Sequence, residues 1–219
     1  MGKVPVLSKE QEIVLGEITK INFFRENFYF TGGTALSAYY LQHRFSEDLD
    51  FFSAQKFDNQ IILTLIQELG KKLGFKIQSN FNEVVYIFNL TFKKGTKLKV
   101  DFGYYPYKKI ADERVIFEDF KLDSLRDIAT NKLLTISQRT DIKDFVDLYF
   151  LLNEFTFWDL LEGLRFKFNI KIEPFILAGD FLKIEGLETL PKMIKPLKLA
   201  ELKVFFREYA KKLGKVAVE

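Results

Sequence analysis

Apolar residues fall along this chain in two rhythms, one before and one after about residue 120. Behind Ser8, a hydroxyl suited to capping a helix start, Ile13, Leu15 and Ile18 predict a helix over 8–21. Phe28-Tyr29-Phe30 is a short apolar run that stops at Gly32-Gly33, and Ala35 to Leu41 resumes with helical composition. That order predicts strand, tight glycine turn and helix. Asp48 to Phe52 alternates strictly, as a strand does. Ile61, Leu65, Leu69 and Leu73 mark an amphipathic helix over 60–73 that ends at Gly74. Phe75–Gln78, Glu83–Phe92 and Lys97–Phe102 are three further strand candidates, with Lys93-Lys94-Gly95-Thr96 as the turn between the last two. Gly103 to Pro106 closes this sheet region.

After Asp123 the period turns helical. Helices are expected at about 124–138 and 141–153, then a less regular segment to Leu190, then a final amphipathic helix from Leu197 to Leu213. No internal repeat or low-complexity linker interrupts the chain. The expected organisation is an α/β core over residues 1–115 and a helical region over 116–219 packed on it.

Composition narrows the chemistry. The chain has 219 residues, 47% hydrophobic and 29% charged, enough for a substantial core. No apolar stretch approaches the roughly 20 residues that cross a bilayer, and Met1 to Pro5 lacks the apolar stretch of a signal peptide, so a cytoplasmic location without membrane partners is expected. Zero cysteines exclude disulfides, thiolate nucleophiles and Cys-type zinc sites; one histidine, His43, excludes a His-rich metal site. Carboxylates, Lys/Arg, hydroxyls and glycines remain, the groups that magnesium and phosphate chemistry uses.

Ser46-Glu47-Asp48-Leu49-Asp50-Phe51 is the strongest local signal. In a strand, Asp48 and Asp50 share one face while Leu49 and Phe51 point to the core, and carboxylates about 7 Å apart at the backbone repel unless a cation lies between them. Lys97 to Phe102 repeats the alternation, with Leu98, Val100 and Phe102 on one face and Lys99 and Asp101 on the other. If the two strands are neighbours, Asp101 completes a cluster fit for one or two magnesium ions. Upstream, the bare backbone of Gly32-Gly33, followed by Thr34 and Ser37, suits phosphate oxygens. In the predicted 124–138 helix, Lys132 falls in the apolar stripe of Leu125, Ile128, Ala129, Leu133 and Ile136, so it must reach out to water or meet an anion. Asp141, Asp144 and Asp147 recur near the next helix start, where the dipole favours acid. Arg44 either holds phosphate or, with His43, caps a helix C-terminus.

These residues, in this order, resemble the nucleotidyltransferase superfamily that includes DNA polymerase β. More narrowly, Gly32-Gly33-Thr34-Ala35-Leu36-Ser37 followed by His43-Arg44-Phe45-Ser46-Glu47-Asp48-Leu49-Asp50-Phe51 looks like the AbiEii family of nucleotidyltransferase toxins from type IV toxin–antitoxin, or abortive-infection, systems. Lys132, Arg139 and Lys143-Asp144-Phe145-Val146-Asp147-Leu148 match that family's helical K…R…KDxxDL pattern, and the resemblance covers about residues 25–153.

The resemblance implies an α+β fold, a polymerase β-like mixed sheet flanked by helices and followed by a helical C-terminal half. It implies a nucleoside triphosphate donor, Mg2+ (or Mn2+) held by Asp48, Asp50 and Asp101, a separately encoded antitoxin, and a tRNA 3′ end as acceptor. The roles that follow are Gly32, Gly33, Thr34, Ser37, Arg44, Arg139 and Asp144 for the nucleotide, Lys132 for the leaving pyrophosphate, and Asp147 for positioning opposite it. Transfer to a small molecule or protein hydroxyl, or a non-catalytic relative, are the alternatives. Residues 192–215 carry eight Lys/Arg against Glu201 and Glu208, which leaves −3 for the rest of a chain whose net charge is +3. That basic stretch is either a solvated face or a landing surface for RNA phosphates.

Overall fold

The structure is a computed structural model that describes residues 5–117 and 119–216. The chain divides into two compact units: Met1–Tyr40, Ser46–Tyr107 and Asp112–Asp123 form the first; Leu41–Phe45, Lys108–Ala111 and Ser124–Glu219 form the second.

The first unit opens with α1 (Lys9–Ile18), where Ser8 and Gln11 make a reciprocal capping box. The helix stops at Ile18, earlier than expected, and a short α2 (Asn22–Asn27) follows. Then come β1 (Tyr29–Thr31), α3 (Gly32–Leu36) with a π-helical continuation Ser37–Leu41, β2 (Leu49–Ser53) and α4 (Asn59–Leu73). Asp58 caps the start of α4, and Gly74 ends it in the left-handed conformation at φ 76°. The strands β3 (Phe75–Asn82), β4 (Val85–Phe92) and β5 (Lys97–Tyr104) form an antiparallel meander, with the expected turn between the last two.

The sheet does not close at Pro106. β6 (Arg114–Ile116) and β7 (Phe120–Leu122) extend it on the other side, β7 pairing in parallel with β1. Among the described residues the seven strands order as β3-β4-β5-β2-β1-β7-β6. The first unit therefore runs to Asp123 instead of ending at residue 115, because Phe120 and Leu122 are buried against the sheet that β1 begins.

Register does the positioning. Thr31 pairs with Asp50 across β1 and β2, and Asp50 pairs with Asp101 across β2 and β5, so these three form one row on one face. The adjacent row, Phe30, Phe51 and Phe102, is fully buried on the opposite face, with ring centroids 5.4 and 5.3 Å apart. A one-residue slip would exchange the rows and drive both carboxylates into the aromatic core, which fixes the register.

The second unit is helical. α5 (Leu125–Gln138) and α6 (Ile142–Leu151) stand where expected, capped by Ser124 and Asp141. The stretch expected to be irregular holds α7 (Phe157–Phe168), with a Thr156–Asp159 capping box, and α8 (Pro174–Leu182), with proline in its first turn, followed by a 3-10 turn Lys183–Gly186. α9 (Leu199–Val216) buries Leu202, Phe206, Ala210 and Leu213. Among the described residues, no helix is long and apolar enough to cross a membrane.

Candidate active site

The residues singled out from the sequence separate into two groups, one in each unit. In the first unit, Asp50 and Asp101 are neighbours in register on the parallel strands β2 and β5, and Asp48 precedes β2 by one residue. Lys99 lies among them: its Nζ is 2.5 Å from Asp101 Oδ2 and 3.8 Å from Asp48 Oδ2. Burial pushes the Asp101 carboxyl above its usual range, with Asp48 adding to the shift and Lys99 opposing it. Burial disfavours the Lys99 ammonium, but Asp101, Asp48 and Asp50 together outweigh it and hold its value above normal. Asp101 Oδ1 is buried without a hydrogen-bond partner.

Gly32 is irreplaceable in this geometry. Its φ is +76°, and a Cβ placed on it would collide with Asp50 Oδ2, so the start of α3 passes directly against the carboxylate. Gly32→Ala is expected to lose at least about 1 kcal/mol of stability and to push Asp50 off its position, read as a lower melting midpoint. Gly33 follows in the same half-buried turn. Thr34 is buried and its hydroxyl donates to the Asp48 carbonyl, so it ties the glycine turn to the acidic strand instead of facing a phosphate. Ser37, fully buried, keeps an Oγ with no partner. Of the two hydroxyls considered for phosphate, Thr34 is thus committed internally.

The donor set suits a hard divalent cation: carboxylate oxygens only, one of them buried and unanswered, beside a glycine whose missing side chain leaves room for Asp50. Among the described residues no three acidic or imidazole groups are already drawn together in metal-binding geometry. In the cluster itself the Lys99 ammonium lies within 4 Å of both Asp48 and Asp101.

In the second unit the charged residues form a buried network. Asp147, fully buried on α6, accepts Arg44 Nε at 2.6 Å and Nη2 at 2.9 Å, pairs with Lys132 Nζ at 2.6 Å, and lies 2.7 Å from His43 Nε2. One helical turn earlier, Asp144 takes Lys132 Nζ at 2.8 Å and Arg139 Nε at 2.7 Å. Burial alone would raise the Asp147 carboxyl, but Lys132 and Arg44, with His43, hold it well below the usual range; Asp144 is lowered in the same way by Lys132 and Arg139.

The expected roles change accordingly. Arg44 is 2% exposed, neither open to phosphate nor a helix cap, because both edges of its guanidinium are taken by Asp147 and the Phe45 carbonyl. Of the two outcomes open to a lysine in an apolar stripe, Lys132 meets anions, and they are Asp144 and Asp147. Asp141 caps α6 by accepting from Lys143 N. Arg139 is the solvent-facing member of the network, its side chain 59% exposed.

Sequence reasoning missed what pins this network. Ile194 and Lys195 donate backbone hydrogen bonds to the His43 carbonyl at 2.9 and 3.0 Å, and Phe45 N donates to Lys192 O at 2.9 Å, so residues 192–195 strap the His43-Arg44 segment in place. It also missed a second buried pair. Asp127 accepts Lys167 Nζ at 2.6 Å, Ser124 Oγ at 2.6 Å and the backbone amides of Ile110 and Ala111. No sequence spacing marks either feature, since the partners are far apart along the chain. On α9, Arg207 pairs with Glu185, and Lys211 with Glu208, so part of the basic charge there is already balanced.

His43 has a testable consequence. Burial holds its imidazole below its ordinary value, with Asp147 opposing, so the folded state prefers the neutral ring. Below about pH 6.5 the unfolded chain takes up this proton more readily than the folded one, so stability present above that pH is lost as pH falls. The free energy of unfolding should drop between pH 7 and 5.5, at a slope of up to about 1.4 kcal/mol per pH unit and with a falling melting midpoint, and His43→Gln should flatten the dependence. Because the chain has one histidine, its ring proton resonances report the folded-state titration without overlap from any other imidazole.

The chain is 32% identical over 158 residues to Uncharacterized protein aq_aa25 of Aquifex aeolicus (strain VF5), covering 71% of each sequence. Its structure matches that of JHP933 from Helicobacter pylori with a TM-score of 0.54 and 25% identity over 96% of both chains. It shares a fold with MenT4, the nucleotidyltransferase toxin Rv2826c from Mycobacterium tuberculosis H37Rv, at a TM-score of 0.56 and 15% identity, over 93% of this chain and 82% of that one. The family described as nucleotidyl transferase AbiEii toxin, type IV TA system, matches residues 14–209, a span that contains both the acidic row and the buried network. With a mixed sheet bearing paired aspartates at its centre and a match across most of its length, the chain belongs to the AbiEii nucleotidyltransferase toxin family.

Proposed function

We propose that this chain transfers a nucleoside monophosphate from a nucleoside triphosphate to an acceptor hydroxyl, releasing pyrophosphate, with Mg2+ or Mn2+ held by Asp48, Asp50 and Asp101. The observation that carries this reading is the in-register pair Asp50–Asp101, joined by Asp48 and backed by the Cβ-free Gly32. A bound divalent cation supplies Lewis-acid stabilisation of charge on the phosphate oxygens. The backbone of Gly32-Gly33 faces the outer phosphates without side-chain obstruction. Asp101 Oδ1, which has no partner of its own, takes the proton of the attacking hydroxyl.

Lys132, Arg44, Asp144 and Asp147 serve as the frame that holds the second unit's charges, and Arg139 is the member of that frame in reach of an anion from solvent. For the acceptor we propose a tRNA 3′ end, supported by the basic residues gathered in 192–215. As in other type IV systems, a separately encoded antitoxin is the expected partner.

The test is incubation with Mg2+, each α-labelled nucleoside triphosphate in turn, and total RNA. Label on tRNA from one nucleotide supports the whole reading. Label on a small compound or a protein keeps the chemistry and replaces the acceptor. No transfer to any acceptor removes the enzyme reading.

A further inference from the structure

The acidic face carries a cation of its own. Lys99 stands two residues before Asp101 on β5, so both side chains leave the same face of the sheet. Its ammonium, 2.5 Å from Asp101 and 3.8 Å from Asp48, lies between two of the three carboxylates that the proposed function makes metal ligands. A pair built for stability alone would satisfy the buried carboxylate. Here Lys99 answers Oδ2 while Oδ1 of the same group stays buried and unpartnered, which disfavours the folded state. The lysine itself is 36% exposed, so its flexible stem can swing its charge out to solvent without disturbing the core.

We propose that Lys99 is the exchangeable counter-ion of the acidic centre. Without a divalent cation its ammonium neutralises Asp48 and Asp101; when the cation binds, the ammonium is displaced. This inference rests on the metal reading above. A metal arriving alone must compete with a tethered charge and binds weakly. A metal arriving with a nucleoside triphosphate gives the displaced ammonium a new anionic partner in the phosphates. One side chain thus couples metal binding to nucleotide binding, and the coupling works equally in both directions.

The experiment measures Mn2+ binding calorimetrically in wild type, Lys99→Met, Lys99→Gln, Lys99→Arg and Asp101→Asn, each with and without a non-hydrolysable nucleoside triphosphate, after circular dichroism has established folding. Removing a unit charge about 4 Å from the site should tighten Mn2+ binding without nucleotide by about tenfold in Lys99→Met and Lys99→Gln. Lys99→Arg should stay within about twofold of wild type, and the tightening of Mn2+ binding by nucleotide should shrink in the neutral variants. Equal Mn2+ affinity in wild type and both neutral variants, with binding lost in Asp101→Asn, overturns the counter-ion role and leaves the metal site standing. Absence of Mn2+ binding in every variant, with nucleotide present, overturns the metal reading and the counter-ion role with it.

Discussion

Asp147→Ala should destabilise the protein by about 3–5 kcal/mol, a fall in melting midpoint on the order of 10 °C. The side chain is fully buried and is the shared acceptor of Arg44, Lys132 and His43. Its removal leaves two buried cations without their nearest anion, and the desolvation that the ion pairs offset is then uncompensated. Asp147→Asn should lie between wild type and alanine, since an amide keeps one acceptor oxygen but none of the charge. Urea denaturation followed by circular dichroism measures the difference. A loss below about 1 kcal/mol for the alanine variant would show that Asp144 alone holds the network together. The same variant will also lose activity, and comparison at a temperature where it remains folded separates that loss from chemistry.

Asp50→Asn tests chemistry instead. It removes one charge from the centre of the acidic row while keeping the side chain's shape and one acceptor oxygen. Transfer of labelled nucleotide should fall on the order of 10³-fold, equivalent to about 4 kcal/mol of lost transition-state stabilisation. Stability should change little beside that loss of activity, because the repulsion relieved between like charges is offset by the attraction lost to Lys99. Transfer at the wild-type rate, with the fold unchanged, would sink the enzyme reading.

The acidic row was legible because a strand has period two. Asp48, Asp50, Lys99 and Asp101 were assigned to one face and Leu49, Phe51, Leu98, Val100 and Phe102 to the other from alternation alone, and the burial of all five apolar residues agrees. Three-residue strands offer too little pattern to read, so β6 and β7 went unseen; they exist because buried Phe120 and Leu122 complete the sheet beside β1. α7 and α8 were obscured by exposed apolar residues, Trp158, Phe166, Phe175 and Ile176, which blur the contrast between helix faces. For Arg44 and Lys132 the residue type was informative but its partner was not. A buried cation announces that an anion is near, yet only the folded chain shows that Asp147 meets both.

The two compact units are woven from one thread: the chain passes between them after Tyr40, Phe45, Tyr107, Ala111 and Asp123. No single cut yields either unit whole. A fragment ending at residue 115 would lack β7 and would carry the His43-Arg44 segment without Asp147, and a fragment starting at 116 would lack Arg44 and the Ile110 and Ala111 amides that Asp127 binds. On a ribosome, the strap at 192–195 that pins His43 emerges about 150 residues after its partner. The nascent chain therefore cannot finish its second unit until residues 192–195 have been made, and long-range closure of this kind slows folding. For a member of a toxin family, that delay means the second unit stays incomplete until the 192–195 strap has left the ribosome.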